Sequence, residues 1–309
     1  MPQLDKIVIM DNPNTFIKWQ KGQAPIAVIM ISLNEAHNMK EVLTNLEGWA
    51  QEVYLVDSCS QDDTISIALK YGVDVIQRNF KGFGDQWNFA LENLPISAPW
   101  VMKLDPDERI TDELKASIED IIKADKADGI ILKRRLYFMG KVLPIIQPIL
   151  RLWKNGTCNF TNVDVNEHPL VDGHMIHASG YLQHHDSPNL DHWLIKQNRY
   201  TTTEAVRQYR GKPLALKPKF FGSALERRMW FKTNFWRIPG RYTFLFIYHF
   251  LILGAWRSGR VGWKWSHLRT EVYRLWEYKH FEMKSLGKVS ERILSHSGEP
   301  DNRVKFYKD

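Results

Sequence analysis

Asp105 and Asp107 stand one residue apart in Leu104-Asp105-Pro106-Asp107-Glu108, directly after the apolar run Pro99-Trp100-Val101-Met102. At the end of a buried strand such a pair can share a divalent cation, because Mg²⁺ and Mn²⁺ favour oxygen ligands and bridge carboxylates to substrate phosphates. Paired acids also occur in solvated turns, so the motif gains weight only from its surroundings. Two other strand ends supply that weight. The run Ile26 to Ser32 leads into Leu33-Asn34-Glu35, and Glu52 to Val56 leads into Asp57-Ser58-Cys59-Ser60-Gln61-Asp62-Asp63-Thr64. Carboxylates gathered at Glu35, Asp57 and Asp105/Asp107 repel one another unless a cation sits among them, and a metal-bound nucleotide provides one.

The elements that would position these residues alternate. Apolar runs without alternation suit strands buried on both faces of a parallel sheet. Between them Met39, Val42, Leu43 and Leu46 recur at helical spacing. Asp62 or Asp63 can cap a helix carrying Ile65, Ile67, Ala68 and Leu69, which stops at Gly72. Val73 to Ile76 reads as a third strand and Asp85 to Leu94 as another helix, ended by Pro95. Strands alternating with helices of this length imply βαβ units and an α/β domain, whose ligands bind beyond the carboxyl ends of the strands.

The series Ser32-Leu33-Asn34-Glu35, Val56-Asp57-Ser58 with Asp62-Asp63-Thr64, Gly82-Phe83-Gly84 with Gln86, Asn88, Ala90 and Leu91, and Leu104-Asp105-Pro106-Asp107-Glu108 resembles glycosyltransferase family 2 in order and spacing. Within that family it is most similar to bacterial enzymes of the lipopolysaccharide-core glucosyltransferase type, over roughly residues 25 to 210. Pro106 departs from the small residue usual at the centre of the metal motif and leaves both carboxylates in place. The resemblance implies a GT-A fold, a Rossmann-like three-layer α/β/α arrangement, and inverting transfer of a sugar from a nucleotide donor. It assigns Asp57 to the uracil or ribose, with Ser32 and Glu35 beside it, and Gln86 and Asn88 to the nucleotide side. Asp105 would face the ribose and the metal, Mg²⁺ or Mn²⁺, and Asp107 would ligate it. Asn34 also reads as a helix cap, and Gly82 and Gly84 as a tight turn.

An inverting displacement needs a general base within reach of the acceptor hydroxyl. The stretch Asn162-Val163-Asp164-Val165-Asn166-Glu167-His168-Pro169 falls where related enzymes carry valine, histidine and glutamate. Asn166 replaces the histidine and Glu167 keeps the carboxylate, so Glu167 is the candidate base and Asp164 the alternative. The cluster His174, His177, His184 and His185 lacks the cysteine or His-Glu-x-x-His framework of a zinc site. By the same resemblance His184 is a candidate third metal ligand. Lys196 and Arg199, three apart on an expected helix, can steady a diphosphate or a lipid phosphate.

The 309 residues have ordinary globular composition, with 44% hydrophobic and 25% charged residues. Two cysteines make no disulfide framework, and no basic stretch followed by an apolar core marks a secretory signal, so a cytoplasmic location is expected. Residues 210 to 309 hold 21 Lys/Arg against 8 Asp/Glu, a net +13, and six of the 12 tryptophans. The run Tyr242 to Trp256 is shorter than the roughly 20 residues that span a bilayer. Basic, Trp-rich amphipathic helices lie in a membrane interface, and Arg227, Arg228, Lys232 and Arg237 are the expected contacts. A helical appendage packed on the core, or a dimer contact, is the plainer reading of this segment. No RNA-binding signature accompanies the aromatics.

The expected organisation is an arm over residues 1–24, a GT-A domain over 25–210, and a helical, basic, aromatic-rich region over 211–309. Residues 211–286 are the expected membrane contact. The expected activity is hexose transfer from a nucleotide sugar to a lipid-linked saccharide acceptor at the inner face of the cytoplasmic membrane. A nucleotidyltransferase would carry a Gly-rich loop with Arg and Lys after the first strand, which Ser32 to Glu35 does not offer. A phosphatase of the D-x-D type would place its motif after the first strand rather than mid-chain. A catalytically inactive sugar-binding protein would have lost the acidic ligands, which are present.

Overall fold

The computed structural model describes residues 8–9, 18–161, 168–211 and 217–289. Contacts divide the chain into two units, Met1–Tyr137 with Ile146–Asp186, and Phe138–Ile145 with Ser187–Asp309. Chain order, with the end of β7 and the start of β8 falling in the second unit, begins β1 (Val8–Ile9), β2 (Ala24–Ser32), α1 (Ala36–Leu46), β3 (Ala50–Asp57), α2 (Thr64–Lys70), β4 (Asp74–Gln77), α3 (Phe83–Asn93) and β5 (Trp100–Lys103). It continues with β6 (Glu108–Ile110), α4 (Asp112–Ala124), β7 (Gly129–Phe138), β8 (Lys141–Lys154), β9 (Cys158–Phe160), β10 (Pro169–Val171), β11 (Met175–His177) and β12 (Leu182–His185).

The main sheet runs β1-β4-β3-β2-β5-β8-β7-β12-β6, with β11 also paired to β7. The block β4-β3-β2-β5 is parallel. Antiparallel pairing joins β8 to β5 and β12 to β6, so the whole is a mixed sheet. The expected α/β class follows from the side chains of β2. Ile26, Val28 and Met30 enter one core with Met39, Val42, Leu43 and Leu46 of α1. Ala27 and Ile29, on the alternate positions, enter a second core with Trp87 and Ala90 of α3. Each face buries apolar surface against helices, and this gives three layers.

Of the two capping acids the sequence offers, Asp62 does the work. One carboxylate oxygen accepts from the Thr64 N–H at 3.0 Å, and the other from the Ala36 N–H at 3.1 Å. It thereby ties the start of α2 to the start of α1, and with them the loops after β2 and β3. Asn34, with φ of 57°, completes the seam by accepting from the Gln61 N–H at 2.8 Å.

The second unit is helical, built from α5 (Leu190–Tyr209), α6 (Ala224–Asn234), α7 (Arg241–Ile247) and α8 (Gly259–Leu286). Lys279 of α8 donates to the side chains of Asn198, Thr201 and Thr202 on α5 at 2.7 Å each. Ala205, Val206, Trp276 and Met283 form the apolar contact beside it. A π-helical turn over Tyr248–Ile252 continues α7. No helix among the described residues is long and apolar enough to cross a membrane.

Candidate active site

The metal motif begins where β5 ends. The Leu104 N–H still donates to the Ile29 carbonyl at 3.1 Å, and the Glu108 N–H then donates back to the Asp105 carbonyl at 2.9 Å, closing a turn that holds Pro106 and Asp107. Glu108 opens β6, which pairs with β12 so that His184 lies opposite Glu108. The His185 N–H extends this pairing to the Asp107 carbonyl at 2.8 Å. The register brings His184 Nε2 to 3.3 Å from Asp107 Oδ2 and 3.7 Å from Asp186 Oδ1. Each of Asp107, His184 and Asp186 offers a ligand atom, all within 4.8 Å of one another. Two carboxylates and an imidazole suit a divalent ion of the Mn²⁺ kind, and the oxygen-rich set also suits Mg²⁺.

Of the three residues expected at the metal, Asp107 and His184 are brought together here, whereas Asp105 is not in this group. Asp186 was not singled out from the sequence; its only signal there is an acid two residues beyond His184. The other histidines of that cluster have different surroundings. His174 Nδ1 meets the Lys126 carbonyl at 2.8 Å, and His185 stacks on Tyr137 with ring centroids 4.4 Å apart.

Asp105 turns toward Arg151, whose Nη2 lies 2.7 Å from its Oδ2. The same nitrogen bonds Glu108, which is fully buried and also accepts from the Asp105 N–H at 3.1 Å. Arg134 approaches Glu108 at 3.5 Å. Burial pushes the Asp105 carboxyl up, but the charges of Arg151 and then Lys103 prevail and hold it at about 2. Arg109 fastens the loop from the other side, donating to the Pro106 carbonyl at 2.6 Å and to the Asn38 carbonyl of α1 at 3.1 Å. Removing the cation from a buried pair leaves uncompensated charge, so Arg151→Leu is expected to cost about 3 to 5 kcal/mol. Urea unfolding measures this. A loss under about 1 kcal/mol would mean that the Arg151 bonds do not hold the loop.

The residues expected at the nucleotide divide into two kinds. Asp57 ends β3 fully buried. Its Oδ1 accepts from the Ser32 hydroxyl at 2.8 Å and the Ser60 hydroxyl at 2.5 Å. Its Oδ2 accepts from the Ser60 N–H at 2.7 Å and Gln77 at 3.1 Å. Glu35 precedes α1 and accepts from the Asn38 side chain at 2.9 Å. Gln86 is fully buried, receiving Arg78 at 3.0 Å and donating to Ser58 at 3.3 Å. Asn88 donates to the Phe160 carbonyl at 3.1 Å and accepts from the Phe160 N–H at 2.8 Å. Gln86 and Asn88 therefore brace neighbouring backbone and loops. Asn88 holds β9, while Phe160 stacks on Trp87 at 5.5 Å and lies beneath the Lys103 ammonium at 5.2 Å.

Glu167 and Asp164, the expected bases, lie outside the described residues. The flanking chain is well fixed: β9 and β10 pair as an antiparallel hairpin, and Thr161 exchanges bonds with His168 through its N–H at 3.1 Å and its hydroxyl at 3.0 Å. Lys196 and Arg199 lie on α5, in the second unit.

Residues 27–176, which carry every one of these motifs up to β11, match the glycosyl transferase family 2 profile. The lipopolysaccharide core biosynthesis glycosyltransferase LpsC of Rhizobium meliloti is 27% identical over 227 residues, covering 69% of this chain and 83% of that protein. An uncharacterized glycosyltransferase of Rickettsia prowazekii is 26% identical over 196 residues, covering 58% of this chain and 66% of its own length. In fold, the chain is similar to the mannosyltransferase PcManGT from Pyrobaculum calidifontis, solved with GDP-Man and Mn²⁺. That likeness has a TM-score of 0.50 at 16% identity and covers 85% of this chain and 90% of the other. Profile, relatives and the mixed sheet with its acidic strand ends agree: residues 27–176 form a glycosyl transferase family 2 domain, on a GT-A scaffold.

Proposed function

We propose that this glycosyltransferase is an inverting, metal-dependent hexosyltransferase. Its donor is a nucleotide sugar, UDP-linked, and its acceptor a lipid-anchored glycan of bacterial lipopolysaccharide or cell-surface polysaccharide at the inner face of the cytoplasmic membrane. The observation that carries the reading is the convergence of Asp107, His184 and Asp186 beside the carboxyl end of β5. LpsC supports the acceptor class, and the GDP-Man and Mn²⁺ bound to PcManGT support the donor class and the ion.

Asp107, His184 and Asp186 would hold Mg²⁺ or Mn²⁺, which supplies positive charge to the leaving diphosphate. Asp105, ionised and oriented by Arg151, would face the ribose and the metal. Asp57, with Ser32 bonded to it and Glu35 at the start of α1, receives the base or ribose. Gln86 and Asn88 act from behind this side by fixing Ser58 and Phe160. Glu167, or failing it Asp164, takes the proton of the acceptor hydroxyl on the face opposite the leaving group. Lys196 and Arg199 receive the acceptor's phosphate.

A panel of nucleotide sugars tested for protection against thermal unfolding, with and without Mn²⁺, examines the donor and the metal together. Binding to the folded chain alone raises its stability by about 2.7 kcal/mol at a hundredfold excess over Kd. The expected result is selective protection by one UDP-hexose that requires the ion. Equal protection in EDTA, or none from any nucleotide sugar, would contradict the reading.

A further inference from the structure

α7 and its π-helical continuation have two faces. The inner one packs on α8: Phe246 lies 4.9 Å from Trp263 and 4.4 Å from His267 between ring centroids, and the buried His249 lies 5.2 Å from Trp265. The outer face carries Phe244, Ile247, Tyr248, Leu251 and Ile252 at the three- and four-residue spacing of one helical stripe, with Trp256 just beyond. All six are exposed, Ile252 to 71% and Phe244 to 63%. Soluble chains seldom present so continuous an apolar stripe without a partner for it.

The charge around the stripe selects that partner. Residues 227–270 contain nine Lys/Arg and no Asp or Glu. Arg257, Arg260 and Lys264 follow the stripe directly, are exposed, and make no ion pair among the described residues. Of the four basic residues first expected as contacts, Arg237 is exposed and reaches the Asn234 side chain at 3.5 Å, while two others are engaged elsewhere. Lys232 bonds Glu204 at 2.6 Å, Arg227 reaches the Gly222 carbonyl at 3.4 Å, and the side chain of Arg228 lies outside the described residues.

From the stripe and its unneutralised border we infer that residues 244–256 enter an anionic lipid leaflet from one side, with Arg257, Arg260 and Lys264 at the headgroups. The inference rests on the lipid-linked acceptor proposed above and names the element that reaches it. Short apolar stripes bordered by cations lie in the membrane interface rather than crossing it.

Sedimentation with vesicles of phosphatidylcholine, with and without phosphatidylglycerol, tests it on the full chain. Each cation near an anionic surface contributes about fivefold in affinity, so Arg257→Gln, Arg260→Gln and Lys264→Gln together should weaken binding about a hundredfold on anionic vesicles. On neutral vesicles they should change little. Leu251→Asp with Ile252→Asp should weaken binding at least about tenfold on both. Both substitution sets should keep the thermal protection given by UDP-hexose and Mn²⁺, since they lie outside the donor site. That readout separates failure of this inference from failure of the transferase reading. Parent-like sedimentation of the double Asp variant would overturn the inference, as would a parent chain that binds neither vesicle. A concentration-dependent dimer abolished by the double Asp variant, with vesicle binding unchanged, would overturn it in favour of a second copy of this chain.

Discussion

Asp107→Asn is expected to lower transfer by roughly 10²- to 10⁴-fold, equivalent to several kcal/mol of lost transition-state stabilisation. The carboxylate is one of three ligand atoms gathered within 4.8 Å, and the amide keeps its shape without its charge. Folding should survive, because the loop is held by other bonds. Arg109 grips the Pro106 carbonyl and Arg151 grips Asp105 and Glu108. His184→Ala and Asp186→Asn should follow the same pattern to a smaller degree. Initial rates with saturating donor and a series of Mn²⁺ concentrations measure the effect. An Asp107→Asn enzyme that turns over at the parental rate in EDTA would rule out a metal-dependent mechanism.

Glu167→Gln should leave donor binding intact and reduce transfer by about 10²- to 10⁴-fold, the range usual for a general base. Glutamine preserves size and hydrogen bonding but does not take up the acceptor's proton. Thr161 and His168 fix the two ends of the segment that carries it, so the substitution should not disturb the β9–β10 hairpin. Rates of transfer measured beside nucleotide-sugar affinity separate the two effects. If Asp164→Asn abolishes transfer and Glu167→Gln does not, Asp164 is the base.

The parallel block and its acidic ends were legible because their signals are local. Ile26 to Met30 form an unbroken buried run, and α1 buries the four apolar residues whose spacing marked it. The insertion of β12 between β7 and β6 was not legible, since it depends on pairing across more than 70 residues of chain. Asp186 was missed for that reason: only the β12–β6 register shows that it shares a corner with Asp107. Arg151 carries no motif signal in the sequence, and antiparallel pairing of β8 with β5 is what brings it to the acidic loop. Asn88 stood within a legible motif, yet its partner, the Phe160 backbone, lies 72 residues further along. Among the basic residues composition marked the region, whereas only packing distinguishes Lys232, bound to Glu204, from the exposed Arg257 and Arg260.

On the proposed mechanism, Asp107, His184 and Asp186 would hold the divalent ion that carries the donor's diphosphate. Electron paramagnetic resonance of Mn²⁺ titrated into the protein, with and without UDP, tests it most directly. One ion per chain should leave the free Mn²⁺ signal, bind more tightly when UDP is present, and be lost in Asp107→Asn and His184→Ala. Undiminished Mn²⁺ binding in both variants, or affinity indifferent to UDP, would contradict the claim.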